Sequence, residues 1–302
     1  MKPTAAKGET PTEQYPALAK AIGIKELYLK REDLHPYGSH KGRSIPVMID
    51  RYSASGERHF AISSSGNAAL AAALYVHELN AGKDKNDPLD LDIFVGQHAS
   101  SHKVEKLYKL VDKHVQVTVK ERPLMALAEA GREGFRSLRQ SMDDTALLGY
   151  KSLAKEMTRG LVPDKNAAIF VATSSGTTAQ ALAEYFSEHS LPIQVHIVQT
   201  SSCHPMSDAF QTYDGPEERS DADAIVDKIA NRKDALVPLI EETGGRGWIA
   251  SNDDIGKARD AISKCAGFGL SANGALSFAG AMKAASSGFK LPDTIVCLIG
   301  GE

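Results

Sequence analysis

The sequence has few aromatic residues and no excess of basic charge. Aromatic residues make up 6% of its 302 residues and include a single Trp, so it offers little surface on which single-stranded nucleic acid could stack. Lys and Arg number 35 against 38 Asp and Glu, a net charge of −3. Such a chain lacks the positive charge that drives general binding to a phosphate backbone. We therefore expect no nucleic-acid partner.

Cysteines and long hydrophobic runs are also scarce. The three cysteines, Cys203, Cys265 and Cys297, are far apart and odd in number, which argues against a disulfide framework. No apolar run approaches the roughly 20 residues of a membrane span. The first twelve residues are polar and contain Pro, so no signal peptide is predicted. These absences predict a cytoplasmic protein without a membrane partner.

The pattern that is present is an alternation of short apolar runs with longer amphipathic ones, and it predicts parallel sheets covered by helices. At roughly 150 residues per domain the length suggests about two domains. The predicted strands are 26–30, 59–63, 91–95, 114–119, 167–172, 193–199 and 294–299. The predicted helices are 44–54, an Ala-rich helix ending at 79, 103–110, 123–140, 150–159, 178–187, 255–265 and 274–285.

Small residues cluster at two similar places. Residues 61–69 (AISSSGNAA) and 171–179 (VATSSGTTA) each run from an apolar strand through a Ser-rich loop containing Gly into a helix. The first turn of a helix has unpaired N–H groups and favours negative charge, and hydroxyls add donors. Two such loops suggest two anionic groups to hold, although each alone is also typical of an ordinary N-cap. Neither has the Walker or Gly-x-Gly-x-x-Gly pattern, which argues against nucleoside triphosphates and NAD.

Lys41 is the candidate nucleophile. Gly38 and Ser39 form a predicted turn and cap, so Lys41 lies in the first turn of the following helix. The positive end of the helix and the neighbouring Arg43 favour the neutral amine, which attacks carbonyl groups. A solvated surface lysine is the alternative interpretation from this residue alone.

The order of these motifs resembles a known family. Residues 30–43 follow the pattern Lys-Arg-Glu-Asp-Leu-His-Pro-x-Gly-Ser-x-Lys-x-Arg, which resembles the lysine segment of the fold-type II pyridoxal-phosphate enzymes. This tryptophan synthase β-like family includes threonine synthase, serine/threonine dehydratases and O-acetylserine sulfhydrylase. Ser-Ser-Gly-Asn-Ala-Ala looks like its second motif and Thr-Ser-Ser-Gly-Thr-Thr like its phosphate cup. The likeness continues through Lys103, 199–205 and the helix at 274, and so covers nearly the whole chain.

The resemblance implies a role for each matching residue and a pyridoxal 5'-phosphate cofactor. Lys41 would hold the cofactor as a Schiff base and move the substrate α-proton, and Asn67 would hydrogen-bond the ring hydroxyl. The substrate carboxylate would be bound by Ser64, Ser65 and Gly66. The cofactor phosphate would be bound by Ser174, Ser175, Gly176, Thr177 and Thr178. No metal ligand is implied, and His98 with His102, four residues apart, has no evident third partner.

Two positions depart from the family pattern. Gly42 follows the lysine where relatives commonly have Asp. Ile299 stands near the end of the last strand, where a Ser or Thr would face the pyridine nitrogen, and Ile cannot form a hydrogen bond. Either Cys297 on the same face of the strand substitutes in part, or the nitrogen is left unpaired. This leaves open the strength of the cofactor as an electron sink.

The implied architecture is α/β, with two three-layer α/β/α domains and mostly parallel sheets. Residues 1–45 with 151–302 would form a larger cofactor-binding domain, and 46–150 a smaller, mobile, substrate-side domain. The expected activity is that of a lyase on a small hydroxylated or O-activated amino acid, threonine synthase-like or serine/threonine dehydratase-like. Alternatives are O-acetylserine sulfhydrylase-like β-replacement and a non-catalytic relative that binds pyridoxal phosphate or an amino acid. The family also implies a homodimer.

Overall fold

The chain folds into two compact units. The computed structural model of the protein describes residues 8–82, 87–161, 166–216 and 218–301. The first unit comprises Met1–Leu34 and Tyr150–Glu302, and the second comprises His35–Gly149. Residues 35–45, expected in the larger domain, thus belong to the second unit. The reason is packing, since Ile45 and the next helical turns are buried in the core of that unit.

Strands and helices alternate along the described residues. The strands are β1 (Thr12–Gln14), β2 (Glu26–Arg31), β3 (His59–Ser63), β4 (Asp90–Gly96), β5 (Val115–Lys120), β6 (Arg136–Ser137), β7 (Ala167–Ala172), β8 (Ile193–Thr200), β9 (Gly247–Ala250) and β10 (Thr294–Ile299). The helices are α1 (Pro16–Ile22), α2 (Lys41–Ala54), α3 (Asn67–Gly82), α4 (Ser101–Tyr108), α5 (Pro123–Arg132), α6 (Thr145–Leu161), α7 (Thr177–Glu188), α8 (Lys233–Glu242), α9 (Asn252–Ala266) and α10 (Ala272–Ser286).

The first unit is built on a sheet with strand order β1-β2-β10-β7-β8-β9. Only the β1–β2 pair is antiparallel among the pairings of the described strands. All six residues of β10 are buried, as expected of a strand covered on both faces. One face packs against α1, α9 and α10. The other packs against α6, α7 and α8. The unit therefore has three layers.

The second unit has a parallel sheet of order β5-β4-β3-β6. Alternate residues of β3 and β4 face opposite sides. Phe60 and Ile62 join the core formed with α2, α3 and α4, whereas Ala61 and Phe94 pack against α5. This unit also has three layers, so the α/β architecture with mostly parallel sheets is confirmed for both.

The strands predicted from the sequence are all present, but the helix predicted at 123–140 ends eight residues earlier than expected. α5 ends at Arg132, and Gly134 has φ +95°, a conformation that suits Gly and ends the helix. The chain then enters the short β6. Five of the strands and helices were not predicted, namely β1, α1, β6, α8 and β9. No helix among the described residues is long and apolar enough to span a membrane.

Candidate active site

The loop at residues 173–176 joins β7 to α7 in the first unit and is shaped by Gly176. This residue has φ +82°, and a Cβ on it would lie 3.0 Å from both Leu236 Cδ2 and Met206 Cε. Glycine is required there for backbone conformation and for space. Gly176 is the N-cap residue of α7 and has no side chain. The first N–H groups of α7 therefore receive no capping hydrogen bond from it, unlike those of a helix that begins with Ser or Thr.

Hydroxyl groups surround this helix start. Ser175 Oγ and Thr177 Oγ1 are hydrogen-bonded at 2.9 Å. Ser174 Oγ accepts hydrogen bonds from the backbone N–H groups of Val226 and Asp227 at 3.1 and 3.2 Å. Ser174 and Ser175 are half-buried, and residues 173–180 include no acidic side chain. Hydroxyls, amides and the positive end of a helix are the groups that bind a phosphate dianion, so this loop fits a phosphate group.

Ile299 ends β10, the strand next to β7. Leu298 pairs with Val171 in parallel register, so the end of β10 and the start of the 173–176 loop lie at the same edge of the sheet. This carboxyl edge is where ligands bind in open α/β sheets. Ile299 is fully buried in an apolar cluster together with Cys297. Its side chain therefore provides no hydrogen-bond partner for a ligand at this edge.

Cys297 lies two residues before Ile299 on the same face of β10. Burial raises the pKa of its thiol, so the group is a neutral, weak hydrogen-bond donor. The structure therefore places one thiol, and no hydroxyl, on this face of β10 near the position where the family pattern has Ser or Thr.

Lys41 is the first residue of α2 in the second unit. The turn before it contains Gly38 at φ +78°, and the Lys41 N–H donates to Ser39 Oγ at 3.3 Å. Ser39 is fully buried, whereas Lys41 is half-buried. The expected turn is thus present and places the lysine in the first turn of the helix, but the N-cap residue is His40, which makes no side-chain capping hydrogen bond.

The loop at residues 64–66 joins β3 to α3 in the same unit. The Gly66 N–H donates to Ser64 Oγ at 3.2 Å, and α3 begins at Asn67. Residues 64–67 are half-buried. A Cβ on Gly66 would have no atom within 4 Å, so this loop is open where the other is filled. Its half-buried hydroxyls and helix start suit a carboxylate.

Each unit therefore brings together one part of the predicted site. The second unit contains Lys41 and the 64–67 segment on α2 and α3, helices that share one core. The first unit contains residues 174–178 and Ile299 at one sheet edge. Met206, Leu236, Val226 and Asp227, which support the 173–176 loop, were not predicted because they lie far away in sequence and carry no motif.

No metal site emerges in the described part of the chain, where no three His, Cys, Asp or Glu side chains are grouped to hold an ion. His98 and His102 are both exposed.

The protein has two α/β/α units, and in each a small-residue loop leads into a helix. A lysine lies at the start of a third helix. This combination is that of the tryptophan synthase β-like class. The chain belongs to the pyridoxal-phosphate dependent enzyme family, whose model matches residues 4–301. Its resident cofactor is accordingly pyridoxal 5'-phosphate, which supplies the electron sink for chemistry at the α-carbon of amino acids.

Similar proteins carry several activities. Threonine synthase of Methanosarcina acetivorans is 27% identical over 317 residues, covering 99% of this chain and 75% of that protein. Human L-serine dehydratase/L-threonine deaminase is 39% identical over 71 residues, covering 24% of this chain and 21% of that protein. Among solved structures, a pyridoxal 5'-phosphate-dependent aspartate racemase superposes with a TM-score of 0.80 at 19% identity, covering 97% and 90% of the two chains. The last likeness shows the fold.

Proposed function

We propose that the protein is a pyridoxal-phosphate-dependent lyase. Its substrate would be a small hydroxylated or O-activated amino acid, with threonine synthase-like or serine/threonine dehydratase-like chemistry. The proposal rests on the difference between the two small-residue loops. The 173–176 loop is packed against residues distant in sequence, whereas the 64–66 loop has open space beside Gly66. The likeness to threonine synthase over 99% of the chain supports the substrate class.

The residues of this chain would divide the work as follows. Lys41 Nζ holds the cofactor through its aldehyde and carries the substrate α-proton away and back. Ser64, Ser65 and Gly66 bind and orient the substrate carboxylate, and Asn67 hydrogen-bonds the ring hydroxyl. The cofactor phosphate would be held by the loop and first helical turn that comprise Ser174, Ser175, Gly176, Thr177 and Thr178. Ile299 would give the ring nitrogen no hydrogen-bond partner.

The acid–base work of Lys41 explains how one site can serve elimination or replacement. Elimination and replacement both begin with removal of the α-proton. The group that leaves from the β- or γ-carbon then decides which product forms. A lysine in the first turn of a helix is held at its backbone, while its four-carbon side chain can carry a proton between two positions.

Two alternatives follow from specific residues. An O-acetylserine sulfhydrylase-like β-replacement would use the same lysine and the same two loops. A non-catalytic relative that binds pyridoxal phosphate or an amino acid is favoured by the apolar, fully buried Ile299, because no hydroxyl on that strand face supports the ring nitrogen.

The test is a substrate panel. L-serine, L-threonine, O-acetyl-L-serine and O-phospho-L-homoserine are incubated with the purified holoenzyme, and release of 2-oxo acid, acetate and phosphate is measured. We expect turnover of at least one of the four by wild type and none by Lys41→Ala. Silence of the wild type toward all four, with the cofactor bound, would contradict the lyase and favour the binder.

The cytoplasmic location and the homodimer stay part of the proposal. The larger unit is proposed as the cofactor-binding domain and the smaller as the substrate side. Light scattering of the holoenzyme at several concentrations measures the assembly, and a mass of one chain at every concentration would contradict the dimer.

A further inference from the structure

Gly42, the residue after Lys41, lies where the protein has no room for a side chain. A Cβ on Gly42 would be 2.3 Å from both Cε1 and Nδ1 of His35 and 2.9 Å from Cδ2 of Tyr37. His35 is only 6% exposed, so its ring is not a flexible end that can turn into solvent. Because Gly is a poor helix former, its presence in this first turn needs a reason. The imidazole of His35 occupies the space of the missing side chain.

The His35 ring is held in place by its own turn. Its Nδ1 accepts a hydrogen bond from the Tyr37 N–H at 3.2 Å, and its carbonyl accepts one from the Gly38 N–H at 2.7 Å. The rings of His35 and Tyr37 lie 5.6 Å apart. An acceptor role for Nδ1 places the proton of the neutral ring on Nε2. The orientation of the ring is thereby fixed against Gly42.

Tyr37 fastens this turn to α3. Its hydroxyl donates to Glu78 Oε2, and its ring meets that of Tyr75 edge-on at 5.8 Å. Glu78 and Tyr75 both lie on α3, the helix that begins at Asn67. A continuous set of contacts inside the second unit therefore links the turn that carries Lys41 to the helix that carries Asn67.

We propose that His35 is a positioning residue for Lys41. Its ring, locked between Gly42 and Tyr37, sets the first turn of α2 and so the position of the Lys41 ε-amino group relative to α3. This inference rests on the proposed role of Lys41 as the residue that holds the cofactor. It also accounts for the glycine at the position where relatives commonly have Asp, since any side chain there would expel the ring.

The experiment is a double-mutant cycle with Gly42→Ala, His35→Ala and the two combined. The dissociation constant for pyridoxal 5'-phosphate and the rate of its capture by cofactor-free protein are followed by absorbance. We expect Gly42→Ala and His35→Ala each to weaken binding by about tenfold, and the combined variant to lose no more than either alone, because both changes remove the same ring from the same space. Gly131→Ala is the matched control, a helical glycine of the same unit whose added Cβ would have no atom within 4 Å.

Two further readouts separate positioning from a purely structural role. Urea unfolding of each cofactor-free variant measures stability, and the pH dependence of the capture rate reports on the environment of the Lys41 amine. We expect Gly42→Ala and His35→Ala to shift that pH profile alike. Loss of stability with an unchanged profile, wild-type binding by His35→Ala, or a combined loss equal to the product of the two single losses would overturn the proposal.

Lys41→Ala separates failure of the His35 role from failure of the Lys41 role. If this variant abolishes the absorbance of lysine-bound cofactor but the two single losses in the cycle are independent, only the positioning role of His35 is wrong. If Lys41→Ala forms the same absorbance band as wild type, the proposed role of Lys41 fails and the positioning role falls with it.

Discussion

The two helix-opening loops look alike in sequence but differ in what holds them. The 173–176 loop is supported by distant residues, with Met206 and Leu236 against Gly176 and two amides from the 226–227 segment on Ser174. The 64–66 loop makes a local bond between Ser64 and the Gly66 amide, and Gly66 faces open space. Distant parts of the first unit thus pack on the 173–176 loop, whereas the 64–66 loop has open space beside Gly66.

Two loops of similar sequence can thereby bind two different ligands. A preorganised loop loses little conformational freedom on binding, and so binds tightly. An open loop admits a ligand that must enter and leave in every turnover. The contrast supports assigning the filled loop to the permanent phosphate and the open loop to the transient carboxylate.

The largest expected effect comes from adding one methyl group to the 173–176 loop at Gly176. Gly176→Ala introduces a side chain at φ +82° and within 3.0 Å of Leu236 and Met206, so we expect cofactor affinity to fall about a hundredfold, or ~2.7 kcal/mol. Absorbance titration of cofactor-free protein measures the dissociation constant. Gly66→Ala is the matched control and should leave cofactor affinity unchanged. Equal losses in both variants would contradict the distinction between the loops.

Removing one hydroxyl from each loop should separate cofactor from substrate. Ser64 and Ser175 each bond a group two residues further on. We expect Ser175→Ala to weaken cofactor binding and Ser64→Ala to raise KM, each about tenfold, as for a hydrogen bond to a charged group worth ~1.5 kcal/mol. Steady-state kinetics on the holoenzyme and cofactor titration measure the two effects. The assignment of ligands would be reversed if Ser64→Ala changed cofactor affinity and Ser175→Ala changed only KM.

The stability of the sheet that carries the 173–176 loop should decrease at low pH. His196 lies on β8 next to β7, stacks on Phe170 at 4.5 Å and accepts a hydrogen bond from Trp248 Nε1. Burial lowers the pKa of His196 from 6.5 to about 3. Between pH 6.5 and 3 the His196 ring is protonated in the unfolded chain and neutral in the folded chain. The free energy of unfolding is therefore highest above pH 6.5 and decreases as the pH falls toward 3. Between pH 7.5 and 5.5 we expect a loss of about 1.4 kcal/mol.

Urea unfolding followed by the fluorescence of Trp248 measures this loss in the first unit. His196→Gln should remove that part of the pH dependence, whereas His98→Gln, which changes an exposed histidine of the second unit, should keep it. Identical pH dependence in His196→Gln and wild type would show that His196 is not the group responsible.

The smallest expected effect is the release of the segment that Ser174 holds. Ser174→Ala leaves the amides of Val226 and Asp227 without their hydroxyl acceptor, so we expect a loss of about 1 kcal/mol in unfolding free energy. Faster proteolysis near residues 224–230 should accompany it. Ser286→Ala, on an exposed hydroxyl at the end of α10, is the control. Equal proteolysis of both variants would mean that Ser174 does not anchor the segment.

Much of the fold and the position of each loop could be predicted from the sequence. Buried parallel strands are continuous apolar runs, so β7 and β10 were predicted with the bounds that the structure has. The two small-residue loops and the turn before Lys41 were found because their chemistry is local. The support of Gly176 by Met206 and Leu236 is not local, and no spacing in the sequence indicates it.

Specific features of the sequence explain why several helices and strands were not predicted correctly. α8 contains Pro238 and follows a long irregular segment, so its pattern was obscured. The strand β9 follows Gly244 and Gly245, which look like an isolated turn. α5 was extended past Gly134 because the apolar residues beyond it continue a helical spacing. The role of His35 was hidden because its contact with Gly42 depends on the turn at Gly38.

The central claim is that Lys41 holds pyridoxal 5'-phosphate, and borohydride reduction of the holoenzyme tests it most directly. Peptide mass spectrometry after reduction should place the cofactor on Lys41, and Lys41→Ala should lose both the label and the yellow colour. Lys109→Ala, which removes an exposed lysine of the second unit, should retain both. A label on another lysine, or full labelling of Lys41→Ala, would contradict the account.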